Sequence, residues 1–141
     1  MRILMLHVDY FSSTITEKGR SKIVEEPTSK TIRVEEALLV LASVERQDET
    51  DPEYISNKTV EEISKLSNQL KVHTIVLHPF AHLFAEMSSP ETALRTLKLI
   101  EDGLNRRGFN VVRTPFGWFN TLELKAKGHP LSRVARTFSP N

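Results

Sequence analysis

The sequence has no cysteine among its 141 residues. This absence excludes disulfide bonds, thiolate ligands for a metal and a catalytic thiol, and it is compatible with a reducing compartment. Long apolar runs are also missing. The N-terminal apolar run, residues 3–6, is interrupted by His7 and Asp9 and is much shorter than the core of a signal peptide. We therefore expect a cytoplasmic protein that neither spans nor enters a membrane.

Several motifs of well-known enzyme sites are absent as well. The sequence contains no Gly-x-Ser-x-Gly motif, no glycine-rich phosphate loop and no His-Glu-x-x-His helix. A covalent serine enzyme, a nucleotide hydrolase and a zinc protease all lose support for this reason. If the chain is an enzyme, its nucleophile is expected to be water, and neither a cofactor nor a metal is expected.

Positive and negative charges nearly balance over the whole chain, but one segment is clearly basic. The formal net charge is +1, so the chain is not uniformly basic. Between residues 106 and 136, however, the sequence contains many basic residues and a single acidic residue, Glu123. These basic residues are Arg106, Arg107, Arg113, Lys125, Lys127, Arg133 and Arg136. A basic segment of this kind is typical of a protein surface that contacts phosphates from one side. A basic surface that is only solvated explains the segment equally well.

The hydrophobic pattern predicts strands at both ends of the chain. Residues 2–8 and 10–16 predict a hairpin, and residues 17–30 predict an exposed connection. The unbroken apolar run within residues 34–44 predicts a central strand covered on both faces. Further strands are expected at residues 73–77, 109–112, 118–126 and 132–138.

Two segments carry the same signal for the start of a helix. Asp51-Pro52-Glu53 and Ser89-Pro90-Glu91 each combine a cap, a proline and an acid, and apolar residues follow at helical spacing. Gly108 is placed to end the second helix in the left-handed conformation. Because helical crossovers join parallel strands, we predict one domain over residues 1–141, of α+β class, with mixed β-sheets and two main helices packed on one side.

Two short stretches are the candidate site. His78-Pro79-Phe80-Ala81-His82-Leu83 follows an apolar strand, and Phe116-Gly117-Trp118-Phe119 leads towards Lys127-Gly128-His129-Pro130-Leu131. Backbone groups that remain unpaired where a strand ends can face a ligand. The two stretches together therefore suggest a site built largely from main chain.

The side chains in these stretches each allow two interpretations. His78, His82 and Glu86 have a metal-like spacing of four, but Pro79 disfavours the helix that would align them. His82 can line a pocket or form a hydrogen bond within the core. His129 can contact a ligand or be a structural residue of the Gly-His-Pro turn. Trp118 and Phe119 can stack on a base or fill the core.

Seven blocks of residues occur in a characteristic order along the chain. They are Met1-Arg2-Ile3-Leu4, His7-x-Asp9-Tyr10, Ser43-Val44-Glu45, Pro79-Phe80-Ala81-His82-Leu83, Arg107-Gly108-Phe109-Asn110-Val111, Pro115-Phe116-Gly117 and Lys127-Gly128-His129-Pro130-Leu131. In this order, and over essentially the full length, the chain resembles the N-terminal editing domain of archaeal threonyl-tRNA synthetases. Several blocks in sequence are far more specific than any one of them.

The resemblance implies a fold, an activity and partners. The fold would be that of the D-aminoacyl-tRNA deacylases, and the activity would be hydrolysis of serine wrongly esterified to threonine tRNA. A second hydrolytic site is needed because the one methyl that separates serine from threonine is worth only about 1 to 3 kcal/mol. The implied partners are threonine tRNA carrying serine, a second copy in a homodimer, and the synthetase catalytic domain in cis or as a separate chain.

The resemblance also implies roles for individual residues. Phe80, Ala81 and His82 would be catalytic, with His82 beside the seryl group. Substrate binding would fall to Val44, Pro79, Trp118, Phe119, Asn120, His129 and Arg133. The terminal adenosine would share the cleft, and the basic third would meet the phosphates of the acceptor stem.

Two positions depart from the family pattern. Asn120 stands where the family usually carries lysine, and Ser132-Arg133 stands where it carries glutamate. If those ionisable groups were essential, the chain would be inactive or differently specific. Our hypothesis is that positioned water, main-chain donors and the ribose 2′-hydroxyl of the tRNA carry catalysis, with Arg133 supplying positive charge that Asn120 does not.

Two other functions fit the sequence. The shared fold allows a deacylase for D-amino acids on tRNA, and the departures at Asn120 and Arg133 allow a non-catalytic module for tRNA binding or dimerisation. Both a piece of a longer synthetase and a separately encoded editing protein are compatible with this sequence.

Overall fold

The structure, a computed structural model, describes residues 1–81, 83 and 86–140. The described strands are β1 (Arg2–Lys18), β2 (Thr31–Val34), β3 (Ala37–Ser43), β4 (Thr74–Pro79), β5 (Asn110–Arg113), β6 (Trp118–Ala126) and β7 (Arg133–Thr137). The described helices are α1 (Pro52–Leu70), α2 (Pro90–Arg106) and a short 3₁₀ helix, Arg46–Thr50. The class is α+β, as predicted, and the likeness to the D-aminoacyl-tRNA deacylase fold stays a prediction.

The long strand β1 organises the sheet. Its first half pairs antiparallel with β3 on one side and β7 on the other, and its second half pairs with β2 and β6. One strand therefore has neighbours along both of its edges for most of its length. This arrangement curls the sheet and brings the start of β6 towards the ends of β3 and β4.

The predicted N-terminal hairpin is wrong, because residues 2–18 form a single strand. Asp9 lies between the two strands predicted at residues 2–8 and 10–16, but it stays within β1 at an irregularity in the pairing with β6 between Val8 and Tyr10. The Asp9 carboxylate accepts a hydrogen bond from Lys127 Nζ. A bulge with a paired polar side chain thus replaces the turn. The short strand β2 and the 3₁₀ helix were not predicted.

The middle of the chain forms the parallel part of the sheet. β3 pairs parallel with β4, and β4 pairs parallel with β5, so the sheet is mixed as expected. β3 lies between β1 and β4, and every one of its residues is buried, which confirms a central strand. The connections from β3 to β4 and from β4 to β5 run through α1 and α2.

Both helices begin as their sequence signals predict, and α2 ends just before Gly108 as predicted. The Asp51 side chain accepts from Tyr54 N, the Ser89 side chain accepts from Thr92 N, and a proline follows each cap. Gly108 has φ +90° just after α2, which is the left-handed conformation predicted for it. None of the described helices is long and apolar enough to cross a membrane.

The two faces of the sheet are buried differently. The larger apolar cluster combines strand residues such as Ile3 and Leu38 with Ile63 of α1 and Leu97 of α2. The smaller cluster lies on the other face and is built from strand residues and their connections, with half-buried Leu4, Leu6, Val34, Phe80 and Leu124 packed against it. Helix packing therefore covers one face of the sheet, whereas the described apolar cluster on the other face contains no helix residue.

Candidate functional site

A cavity of about 550 Å³ lies where β3 and β4 end. The start of α2 and the connection from β5 to β6 complete it. Its described lining is Ser21, Ala42, Val44, His78, Pro79, Phe80, Ala81, Met87, Ser88, Pro90, Ala93, Leu97, Pro115, Phe116, Gly117, Trp118, Phe119, Asn120 and Leu122. The two stretches singled out in the sequence therefore meet in one cavity, because the curled sheet brings the β5–β6 connection over the end of β4.

Seven of the ten predicted site residues line this cavity. They are Val44, Pro79, Phe80, Ala81, Trp118, Phe119 and Asn120. His82, predicted as catalytic, lies outside the described residues. The structure does not bring the remaining two, His129 and Arg133, to the cavity lining. His129 bonds to His7, and Arg133 is exposed on β7 opposite Leu6 of β1.

Much of the main chain around the cavity is already paired. Phe80 N donates to Ala42 O at 2.8 Å, and Ser88 N donates to Val44 O at 3.1 Å. The Ser43 hydroxyl donates to the carbonyl of Phe80. Within the part of the chain that the structure describes, no hydrogen bond occupies the Ala81 N–H. Ala81 is exposed in the turn after β4, so its N–H can donate to a ligand.

The described lining includes a single titratable side chain, His78. His78 is 4% exposed, and its Nδ1 lies 2.7 Å from Thr114 Oγ1. Burial away from water lowers the pKa of His78 from 6.5 to about 4, so the imidazole is neutral at pH 7. From the sequence, His78 was part of the candidate stretch and of the metal-like spacing with His82 and Glu86, but its burial as a neutral imidazole was not predicted. Its place at the end of an apolar strand was the signal that it faces a cavity.

Exposed apolar side chains surround the cavity opening. Phe119 is 55% exposed, and Met87 and Leu122 are also exposed although all three line the cavity. Together with Trp118 they give an apolar opening beside a lining that carries no formal charge at pH 7 in its described residues. Flat apolar surface of this kind suits the face of a nucleobase.

A second polar cluster lies away from the cavity, at the bulge in β1. His7 Nδ1 is 2.8 Å from His129 Nε2, and His7 Nε2 is 2.9 Å from Glu36 Oε2. Lys127 bonds to Asp9 and lies 3.7 Å from Glu36 Oε2. The hydrogen bond between Lys127 and Asp9 lowers the pKa of Asp9 and raises the pKa of Lys127. In the described residues, no group of three or more histidines, aspartates or glutamates could hold a metal ion.

The basic residues near the C-terminus have unequal surroundings. Arg113 is only 11% exposed and pairs with Glu25 and Glu101, so it is an internal residue and not a phosphate contact. Arg136 lies 3.4 Å from Glu62. Among the described residues, Arg106, Arg107 and Arg133 are exposed and form no ion pair, and exposed Lys125 lies 4.0 Å from Asp9. The basic surface is therefore smaller than the sequence suggested.

Comparison with known proteins identifies the family. Residues 1–138 match the model of the archaea-specific editing domain of threonyl-tRNA synthetase. The chain belongs to this family. Membership confirms the resemblance stated from the seven sequence blocks, and it makes the cavity at the ends of β3 and β4 the candidate site of an editing domain.

Full-length relatives place the domain within larger proteins. The threonine–tRNA ligase of Methanocaldococcus jannaschii is 46% identical over 96% of this chain and 22% of its own length. Those of Thermococcus sibiricus and Methanopyrus kandleri are each 44% identical over 99% of the chain and 23% and 22% of their own lengths. The chain thus spans about a fifth of the length of these curated relatives.

Proposed function

We propose that this editing domain hydrolyses serine wrongly esterified to threonine tRNA. The observation that carries the proposal is the family match over residues 1–138, because proofreading is the role of an editing domain. A cytoplasmic location and a single domain over residues 1–141 belong to the same proposal. The cavity supports it, since about 550 Å³ accommodates an aminoacyl group together with part of a nucleoside.

The chemistry follows from what the cavity contains. Water attacks the carbonyl carbon of the ester, the bond from that carbon to the ribose oxygen breaks, and this oxygen takes a proton. The products are free serine and tRNA. The described lining contains no carboxylate and no lysine, and its one titratable group, His78, has a pKa of about 4 and is therefore only a weak general base.

Main-chain and substrate groups can take over these tasks. The Ala81 N–H can donate to the oxygen that gains negative charge in the transition state, and one such donor is worth roughly 3 kcal/mol. The 2′-hydroxyl of the terminal ribose adjoins the ester and can orient the water. In this proposal Phe80, Ala81 and His82 form the reacting side of the cavity, and Val44, Pro79, Trp118, Phe119 and Asn120 hold the substrate.

Partners follow from the same placement. Phe119 and Trp118 would contact the terminal adenosine, and exposed Lys125 and Arg133 would contact phosphates of the acceptor stem. A homodimer is proposed as well, because half-buried Leu4 and other apolar side chains lie on the sheet face that carries no helix. The synthetase catalytic domain, in cis or as a separate chain, would supply the mischarged tRNA.

Hydrolysis of matched tRNA esters tests the proposal. Threonine tRNA is charged with L-serine, L-threonine or D-serine, and release of the amino acid is followed with and without the protein. We expect rapid release of L-serine and little release of L-threonine. Preferential release of D-serine would instead assign the alternative deacylase activity, and binding without any hydrolysis would assign a non-catalytic module.

The role of the ribose is tested with a modified tRNA. Replacing the terminal adenosine by 2′-deoxyadenosine leaves the seryl ester on the 3′-oxygen and removes one hydroxyl. We expect the hydrolysis rate to fall by about 100-fold or more, since the water loses its orienting group. An unchanged rate would show that protein groups alone position the water.

A further inference from the structure

The connection between β1 and β2 lies against one side of the cavity. We call residues 19–26 the strap and residues 115–119 the aromatic wall. Gly19 N donates to Gly117 O at 2.7 Å, and Glu25 N donates to Phe116 O at 3.0 Å. The indole Nε1 of Trp118 donates to Glu25 O at 2.8 Å. Three hydrogen bonds therefore join the strap to the wall.

The side chain of Glu25 adds a second set of bonds. Its carboxylate accepts from both terminal nitrogens of Arg113, and Oε1 also accepts from Phe116 N at 2.9 Å. Arg113 Nε donates in turn to Glu101 of α2 at 2.9 Å. Through these bonds Glu25 links the strap, the end of β5 and α2 to the backbone of the wall.

The environment keeps this pair ionised. Glu25 and Arg113 have side chains 20% and 11% exposed. Burial alone would raise the pKa of Glu25, but the hydrogen bonds from Arg113 and Phe116 outweigh it and lower that pKa. Burial likewise opposes the charge on Arg113, whose pKa the two carboxylates raise. A planar guanidinium bound by two oxygens also fixes the orientation of the carboxylate.

The strap and the wall lie too close together for a Cβ at either Gly19 or Gly117. A Cβ built on Gly117 would lie 2.6 Å from Ile23 O, and Gly117 has φ +91°. A Cβ on Gly19 would lie 2.8 Å from Gly117 O. Since neither contact leaves room for a side chain, the strap sets where the wall can lie.

We propose that Glu25 is a positioning residue that holds the aromatic wall in the place where it meets the substrate. Glu25 is absent from the cavity lining, so it acts through Phe116 and Trp118. The identity of the substrate in this inference rests on the proposed function, whereas the placement of Trp118 does not. The strap is thereby a part of the editing site that lies about 90 residues from the wall in the sequence.

The experiment compares Glu25→Ala and Glu25→Gln with Glu26→Ala. Glu26 is the adjacent, exposed residue of the same strap, and within the described residues it makes no hydrogen bond to the wall. Trp118 is the only tryptophan of the chain, so its fluorescence reports on the wall directly. We expect acrylamide quenching of Trp118 to rise about two-fold in Glu25→Ala, less in Glu25→Gln, and not at all in Glu26→Ala.

Kinetics separate positioning from loss of folded protein. A destabilised variant has fewer active molecules, which lowers kcat and leaves KM unchanged. A displaced wall weakens substrate binding, so we expect KM for seryl-tRNA to rise about ten-fold in Glu25→Ala with kcat within about two-fold of wild type. Glu25→Gln keeps an acceptor for Phe116 N–H and should recover part of this loss.

Other outcomes overturn the inference. Quenching equal to that of wild type in Glu25→Ala, or a fall in kcat alone, would show that the strap does not position the wall. If Glu25→Ala fails to fold, Arg113→Lys provides the same test, because lysine keeps the charge and loses the two-point contact. A wild-type protein that hydrolyses no seryl-tRNA would refute the proposed function, and the quenching series would still decide the role of Glu25.

Discussion

His129 donates a hydrogen bond to His7, and the direction of that bond is fixed by their neighbours. His129 Nδ1 accepts from Leu131 N at 3.2 Å, so the proton of a neutral His129 must lie on Nε2. His7 Nδ1, 2.8 Å away, is then the acceptor, and His7 Nε2 donates to Glu36. The chain of bonds ties the Gly128-His129-Pro130 turn to β1 across the bulge.

Replacing His129 should therefore act mainly on stability. His129→Ala leaves the buried His7 Nδ1 and the Leu131 N–H without their partners, and we expect a loss of about 1 to 3 kcal/mol in the free energy of unfolding. Urea denaturation measures this loss. Deacylation kinetics should stay within about two-fold of wild type. A raised KM at unchanged stability would instead support the substrate contact that the family resemblance implies for His129.

Protonation of His78 should make stability depend on pH. Its pKa is about 4 in the folded protein and 6.5 when unperturbed, so the unfolded chain binds the proton first as pH falls. The contribution of His78 to the free energy of unfolding is thus present above about pH 6.5 and is lost progressively as the pH falls towards 4. Between pH 7 and pH 5 this group alone should remove about 2 kcal/mol from the free energy of unfolding.

His78→Gln isolates that contribution. The variant loses the titrating imidazole, so its free energy of unfolding should change by about 2 kcal/mol less than that of wild type over the same range. The carboxylates with lowered pKa, Asp9, Glu25 and Glu45, start from values of 3.8, 4.5 and 4.5 and act mostly below pH 5. Parallel pH profiles for the two proteins would contradict the burial assigned to His78.

Local signals predicted the middle of the chain well. The caps at Asp51 and Ser89, the prolines after them and Gly108 act within a few residues, so the sequence alone locates both helices. The buried run of β3 likewise needs only its own composition. The N-terminal hairpin was wrong because the partner that keeps Asp9 inside β1 is Lys127, 118 residues away.

The residues of the candidate site also differ in whether a local sequence feature or a long-range contact places them. Pro79, Phe80 and Ala81 could be located from the sequence because a strand end is a local feature. Glu25 could not, since residues 17–30 were predicted to be an exposed connection and the contacts of Glu25 with Phe116 and Arg113 span about 90 residues. The inward-facing Arg113 was similarly counted as surface charge. Long-range ion pairs leave no periodic signal in a sequence.

Gly108 and Gly117 have nearly the same positive φ, so a comparison of their alanine variants distinguishes backbone strain from steric contact. Gly108 and Gly117 have φ +90° and +91°, but a Cβ on Gly108 meets nothing within 4 Å. Gly108→Ala should therefore cost only the strain of the left-handed region, about 1 kcal/mol. Gly117→Ala should cost about 1 to 3 kcal/mol more, because its Cβ would meet Ile23 O. Equal losses in thermal or urea unfolding would mean that the strap does not press on Gly117.

Ala81 tests whether the turn after β4 faces the substrate. Ala81→Trp should fill the cavity opening and reduce kcat/KM for seryl-tRNA by about 100-fold or more, while exposure of this position keeps the stability change within about 0.5 kcal/mol. Ala81→Ser is the matched control, because it keeps the size and the N–H and should retain most activity. Full activity of the tryptophan variant would place the reaction elsewhere in the molecule.

Asn120 tests whether a side chain of β6 has taken over the chemistry. Asn120 lines the cavity, yet its amide donates to Ser13 Oγ at 3.0 Å and carries no charge. Since main chain and ribose supply the catalytic groups in the proposed reaction, Asn120→Ala should lower kcat by no more than about three-fold. Single-turnover hydrolysis of seryl-tRNA measures the effect. A loss of about 100-fold would show that Asn120 orients the water or the ester itself, because breaking one neutral bond to Ser13 cannot raise the barrier by nearly 3 kcal/mol.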